Sequence, residues 1–291
     1  MKKEYPLVSI AIITYNQIEY LRECIESCLA QDYPNFEVVV ADDCSNDGTQ
    51  DMLASYKEEY PEIINLCLSK KNSGITSNSN AANSACKGEY VAWLGGDDIM
   101  LPGKLTKQVR FMEENLDITI SYHDLDVFMS STNETLHKFS QVASPREGGV
   151  ELLIRYGCFF GASSAMVRKI GSLPAFDKRI PIASDWLYWI RCLELGGQVG
   201  FLPEVLGRYR RHSKNVTAER EYLKNSSLQD HFITCAILKS EYPKLISLIC
   251  SREAELLFQC ISYRNCNRVQ YKLAALKNKF NIKNLYRFLF R

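Results

Sequence analysis

The chain has 291 residues, 46% of them hydrophobic and 24% charged, which allows a continuous core and excludes the disordered, collagen-like and low-complexity classes. Its 35 basic and 34 acidic side chains give a formal net charge of +1, so there is no global electrostatic footprint for nucleic acid. Eleven cysteines are scattered without a CxxC pair, and the start lacks the apolar stretch of a secretion signal, so the thiols read as reduced and the protein as cytoplasmic.

The first third alternates strand and helix signals. Leu7 to Ile13 is a nearly unbroken apolar run, as expected of a strand buried on both faces. The polar turn Thr14-Tyr15-Asn16-Gln17 follows, and Ile18 to Ala30 then places Leu21, Ile25, Cys28 and Leu29 at helical spacing. Cys24 and Cys28, four residues apart, read as small apolar side chains on one helix face. The pattern repeats with a strand over Phe36 to Ala41, a polar loop from Asp42 to Gly48, and a helix over Thr49 to Tyr60 stopped by Pro61. Ile63 to Leu68 reads as a third strand. A polar crossover helix over Ile75 to Cys86 leads to a fourth, Tyr90 to Leu94.

Such alternation predicts an open α/β sheet whose ligands bind outside the carboxyl ends of the strands. Three of the four strands end in polar clusters, Thr14-Tyr15-Asn16, Asp42-Asp43 and Asp97-Asp98, which should converge in space.

A helix is expected over Leu101 to Phe111, with Pro102 in its first turn. Ile118 to Phe128 reads as a longer strand, and Ser130 to Gly149, polar and bearing Gly and Pro, as a candidate mobile loop. A short helix near Val150 to Tyr156, a strand near Ser163 to Arg168 and a helix from Asp185 to Leu195, capped by Ser184, come next. Val199 to Tyr209 reads as a strand interrupted at Pro203, and the sequence from about residue 218 as a separate helical appendage.

The chemistry-bearing signals sit at the strand ends. Adjacent carboxylates at Asp97 and Asp98, after Gly95-Gly96, are tolerable when solvated, protonated or bound to a cation. They can hold a hard divalent ion against a diphosphate, or cap the following helix. Asp42-Asp43 can accept hydrogen bonds from a base or ribose, or serve the turn that Asp47-Gly48-Thr49 resembles. Gly103-Lys104 lacks the upstream glycine of a P-loop, and no GxGxxG occurs.

In order and spacing, Val8-Ser9-Ile10-Ala11-Ile12-Ile13-Thr14-Tyr15-Asn16, the DDxSxDGT pattern within Val38 to Thr49, Asn72-Ser73-Gly74 and Gly88-Glu89-Tyr90-Val91-Ala92-Trp93-Leu94-Gly95-Gly96-Asp97-Asp98 resemble family 2 glycosyltransferases of the GT-A fold. The resemblance implies an α/β fold with a Rossmann-like open mixed sheet and a C-terminal helical appendage. It divides the chain into a glycosyltransferase domain over 1–217, with a nucleotide-sugar half (1–115) and an acceptor half (116–217), and a helical region over 218–291. It also implies inverting transfer from a nucleotide-diphosphate sugar, with UDP favoured, to a glycan or lipid-linked acceptor, assisted by Mn²⁺ or Mg²⁺.

Carried over by position, the resemblance gives Thr14 and Tyr15 to the base, Asp43 to uracil, and Asn16, Asn72 and Asn80 to the nucleotide site. Asp98 becomes the metal ligand and Asp97 falls nearer the ribose. Asp185, in Ala183-Ser184-Asp185-Trp186, becomes the catalytic base. His212, within Arg208-Tyr209-Arg210-Arg211-His212-Ser213-Lys214-Asn215, closes the diphosphate or completes the metal shell, a service the surrounding basic residues can also give. The chain departs from the family twice: Ser79-Asn80 stands where many members carry Arg-Asn, and Gly95-Gly96 where an Asp often precedes the acidic pair.

Two other function classes compete. A sugar-phosphate nucleotidyltransferase would need a glycine-rich basic loop after its first strand, which Thr14-Tyr15-Asn16-Gln17 is not. A non-catalytic nucleotide-sugar-binding partner subunit would explain the missing arginine at Ser79. The end of the chain adds a membrane hypothesis. Residues 264–291 carry eight Lys or Arg and no acid, and Ile282, Leu285, Tyr286 and Leu289 would line one face of a helix beside Lys283, Arg287 and Arg291. Such a face can lie on anionic lipid at the inner surface of the cell membrane, or pack on the protein itself.

Overall fold

Continuous apolar runs become strands sealed on both faces in the computed structural model, which describes residues 5–213, 215 and 221–260. The strands are β1 (Val8–Thr14), β2 (Phe36–Asp42), β3 (Ile64–Leu68), β4 (Tyr90–Gly95), β5 (Ile99–Met100), β6 (Ile118–Met129), β7 (Thr135–Lys138), β8 (Met166–Arg168) and β9 (Gln198–Arg211). The helices are α1 (Ile18–Leu29), α2 (Thr49–Glu59), α3 (Ile75–Ala85), α4 (Lys104–Glu114), α5 (Val150–Tyr156), α6 (Asp185–Cys192), α7 (Glu221–Glu241) and α8 (Ile246–Cys260).

One mixed sheet runs in the order β3-β2-β1-β4-β8-β6-β9-β5, with β7 paired to β6. The first four strands are parallel and level at their carboxyl ends, with Thr14 beside Asp42 and Ile13 beside Gly95. The register therefore delivers the polar turns to one edge, as the alternating pattern predicts. Beyond β4 the sheet turns antiparallel through β8, while β6 and β9 run parallel to each other.

The sheet separates two apolar layers. On one face Val8, Ile10 and Ile12 pack with Leu21, Cys24, Ile25 and Cys28 of α1, Leu53 of α2 and Leu105 of α4. Ala11, Val39 and Ala41 face the other layer, with Trp186, Tyr188 and Trp189 of α6. Side chains of this size, fully buried, each contribute about 1.5–3 kcal/mol from removal of apolar area. Cys235 and Leu238 of α7 and Ile249 and Leu256 of α8 belong to the same layer. The described C-terminal helices, expected from about residue 218, are present and pack on this layer.

Several local expectations are corrected. The segment Ser130 to Gly149, read as a candidate mobile loop, contains β7 and a 3-10 turn at Phe139–Gln141. The helix expected from Leu101 begins at Lys104, after Gly103 in a left-handed conformation (φ 81°), so Asp97 and Asp98 do not cap it. Ser184 precedes α6 without a capping hydrogen bond. Pro203 does not break β9; the strand runs through it, with register shifts opposite at His123 and Asp124. All described cysteines are free, and among the described residues no helix is long and apolar enough to cross a membrane. The amphipathic face proposed within the last dozen residues lies outside the described residues.

Candidate active site at the carboxyl edge

Backbone hydrogen bonds stitch the three polar turns together: the Asp43 N–H donates to Thr14 O (3.2 Å) and the Gly96 N–H to Ile13 O (3.0 Å). Thr14 itself is buried. Glycine is needed at 96 because an added Cβ would lie 2.9 Å from Thr14 Cβ.

The predicted nucleotide residues separate into exposed and anchoring groups. Tyr15 presents its ring to solvent, 46% exposed. Asn16, with φ 50°, spans to the second turn: its N–H donates to Ser45 Oγ (2.7 Å) and its Oδ1 accepts from the Asn46 N–H (2.9 Å). Asp43 is 3% exposed, and its two oxygens accept from the Ser73 and Gly74 N–H groups, each at 2.8 Å. It therefore fastens the loop that leads into α3. Asn72 is exposed beside that loop.

Asn80, expected at the nucleotide site, is tied to the backbone. Its Nδ2 donates to Phe176 O (2.9 Å) and its Oδ1 accepts from the Phe176 N–H (2.8 Å), so both ends of the amide are committed to backbone. Asn83 likewise donates to Pro174 O (2.9 Å). Through these two side chains α3 grips the 174–176 segment.

The acidic pair, in which Asp98 was expected to be the direct metal ligand, is divided by its surroundings. Asp98 is 2% exposed; Oδ1 accepts from the Arg210 N–H (2.9 Å) and Oδ2 from the Ser163 hydroxyl. Burial and the neighbouring Asp97 charge push its carboxyl up, opposed by these hydrogen bonds. Ser163 Oγ also accepts from the Gly95 N–H (3.0 Å). Beneath it the fully buried Lys104 donates from Nζ to Ser163 O (2.7 Å), and burial brings that ammonium down to about 8. Asp98 is thus a keystone beneath the turn.

Asp97 is the carboxylate that meets the edge. Its Oδ2 lies 2.9 Å from His212 Nε2 and 2.9 Å from Asn215 Nδ2. Arg210, 6% exposed, donates from Nε to Asp97 O (2.7 Å) and pairs with Glu23. Arg208 binds Asn133 Oδ1 (2.8 Å) and covers the Phe128 ring. These two arginines are spent on the protein rather than held open for phosphate.

On the other side of the edge, Asp185 opens α6 and is half-buried. Its Oδ1 accepts from the Trp186 N–H (3.0 Å), and Oδ2 faces the Cys158 thiol at 3.7 Å. Burial raises its carboxyl above the usual range. The start of α3 touches this region directly, since Thr76 Oγ1, two residues after Gly74, stands 2.9 Å from Ser184 Oγ.

Residues 9–171 match the profile described as "Glycosyl transferase family 2". The chain belongs to that family. An uncharacterized protein of Mycobacterium tuberculosis (strain ATCC 25618 / H37Rv) is 32% identical over 215 residues, covering 72% of this chain and 60% of the relative, so this chain spans about 60% of that protein's length. In three dimensions the fold is that of Staphylococcus aureus TarS 1-349 in complex with UDP-GlcNAc (TM-score 0.64, 17% identity, 97% of this chain and 78% of that one). It is shared with the mannosyltransferase PcManGT of Pyrobaculum calidifontis in complex with GDP-Man and Mn²⁺ (TM-score 0.56, 16% identity, 98% and 73%). The architecture is therefore GT-A.

Within this family 2 chain, the residues present fit a hard divalent cation sparingly. Among the described residues no three His, Cys, Asp or Glu cluster as a complete ligand set. Asp97 and His212 would offer two donors side by side to such a cation, fewer than a hard divalent ion takes. Gly95 contributes none, and a Cβ there would lie 2.8 Å from Asp97 Oδ1. Lys104, Ser163 and Asn215 escaped the sequence reading. Asn215 at least lies in the quoted Arg208-to-Asn215 motif, whereas nothing in the sequence marks Ser163.

Proposed function

We propose that this chain transfers a sugar from a nucleotide-diphosphate donor, with UDP favoured, to an acceptor hydroxyl with inversion. The observation that carries the reading is the meeting of Asp97 and His212 at the same strand edge as Asp43 and Tyr15. A donor would lie along this edge, its base against the exposed Tyr15 ring and its diphosphate toward Asp97.

Asp97 and His212 would hold a divalent cation, which when bound neutralises charge on the leaving diphosphate. Asp185 accepts the acceptor hydroxyl proton as the acceptor oxygen bonds to the anomeric carbon and the bond to the diphosphate breaks. A single carboxylate acting from one side supports direct displacement. Its raised proton affinity makes it a stronger base than a solvated aspartate, and Oδ2, facing only a weakly donating thiol, is left to take the proton.

The test is calorimetric titration with UDP, GDP and dTDP, each with Mn²⁺ and with EDTA, on the wild type and on Asp97→Ala. Metal-dependent binding of one nucleotide, lost in the variant, is expected. Failure of every nucleotide to bind under both conditions would leave only the fold.

A further inference from the structure

Arg252 on α8 is a cation that the described protein leaves underpartnered. Its side chain is 13% exposed, and its Nε is sealed from solvent with no hydrogen-bond partner. The guanidinium packs on the Trp186 ring, 5.6 Å from the centroid. It presses so closely on Gly157 that an added Cβ there would lie 2.6 Å from Nη2. Glu255 stands 3.6 Å from Arg252 Nη1 and 3.7 Å from Arg155 Nη2 on α5. Both separations exceed hydrogen-bond range. Two arginines therefore share one carboxylate, each at the long end of ion-pair distance.

A guanidinium offers five donors and is costly to bury with a donor unmet. An apolar side chain would fill the same space against Trp186 without that cost. Two guanidiniums against one carboxylate leave positive charge in excess at this seam, which calls for an anion from outside. An oxyanion is the chemistry that matches, since it accepts the planar, bidentate fork an arginine presents.

The position gives the site a role. Trp186, under the guanidinium, directly follows Asp185. Gly157 directly precedes Cys158, whose Sγ faces Asp185 Oδ2. The seam between α5 and α8 therefore adjoins the base through two separate segments. His231, edge-on to Trp186 at 5.5 Å, is brought down to about 4 by burial and the Arg252 charge, so it adds no second charge at neutral pH.

We infer that Arg252 and Arg155 form a binding site for an oxyanion, phosphate or carboxylate, carried by the acceptor. The inference rests on reading Asp185 as the base. The test titrates the full chain with glycerol 1-phosphate, methyl glucuronide and the neutral methyl glucoside in phosphate-free buffer, with UDP and Mn²⁺ titrated separately on the same preparation. The wild type is expected to bind at least one anion tenfold or more tighter than the glucoside. Arg252→Met should weaken that binding at least tenfold. Glu255→Gln, which removes the competing carboxylate, should strengthen it severalfold, an opposite sign that a misfolded variant cannot mimic. Preference for glycerol 1-phosphate would assign a phosphate-bearing acceptor, and preference for the glucuronide a uronate. Absence of anion binding in the wild type, or binding unchanged in both variants, would overturn the site. Because UDP binding is read independently, its failure would strike the donor reading and not this one.

Discussion

The Asp97 carboxylate and the His212 imidazole lie 2.9 Å apart across 115 residues of sequence. The contact is built by β5 and β9, which pair antiparallel with Ile99 beside Arg208, carrying the end of β9 past the acidic turn. Tyr20 of α1 then packs on the imidazole with ring centroids 4.4 Å apart, fixing the ring from its face.

The two adjacent aspartates should consequently fail in different ways. Asp97→Asn is expected to abolish metal-dependent nucleotide binding while leaving the thermal midpoint nearly unchanged, since its side chain meets the edge. Asp98→Asn replaces with an amide nitrogen one of the two buried oxygens that accept from Arg210 and Ser163 and should lower stability by ~1–3 kcal/mol, the penalty for a buried polar group left unsatisfied. Paired thermal melts and nucleotide titrations check this. The same midpoint loss in both variants would reject the division of roles.

Restoring the acidic residue that family members often carry before the pair should harm this chain. An added Cβ at 95 would sit 2.8 Å from Asp97 Oδ1 and 3.3 Å from Asp98 Oδ2, and a carboxylate would follow it into the same space. Gly95→Asp is expected to displace Asp97 and weaken Mn²⁺-dependent nucleotide binding tenfold or more, measured by titration. Gly96→Ala meets Thr14 Cβ at 2.9 Å and Ile13 O at 3.0 Å and should lose stability of the size typical for overpacking, ~1–3 kcal/mol.

Much of the parallel part of the sheet was legible because a strand buried on both faces leaves an unbroken apolar run, and the turn at its carboxyl end leaves a polar cluster. Val8 to Thr14 and Asp42-Asp43 show both signals. Lys104 was not legible: a lysine at a helix start reads as solvated, and only its burial under Ser163 reveals its use. β7 was missed because its residues are mostly exposed and polar, so the edge hairpin leaves no alternating pattern. The two aspartates at 97 and 98 are alike in sequence, and only the arrival of β9 from more than a hundred residues away tells them apart.

Asn80 should prove a structural clamp. Its amide satisfies both the N–H and the C=O of Phe176, and Phe176 stacks on Tyr188 at 4.0 Å between centroids, tying the segment to α6. Asn80→Ala strands two backbone groups, at a penalty of ~1–3 kcal/mol for each one left unsatisfied. A lowered melting temperature with UDP affinity within a few-fold of wild type is the expected result. Loss of UDP binding at unchanged stability would return Asn80 to the nucleotide site.

Asp185 should set the acidic limb of activity. The base works only when ionised, and burial raises its carboxyl, so turnover should fall at a pH above the ~3.9 of a solvated aspartate. The same shift fixes the sign of its effect on stability. A carboxyl whose folded-state proton affinity exceeds the unfolded one favours folding at low pH, and that contribution is lost as pH rises through the folded value. Asp185→Asn removes the charge that burial penalises, so it should melt at or above the wild-type temperature at neutral pH. It should keep donor binding and lose turnover by ~10²–10⁴-fold, the usual contribution of a general base. Melts from pH 4 to 8, alongside a pH–rate profile, separate the two effects. A variant that kept wild-type turnover would remove Asp185 from the mechanism.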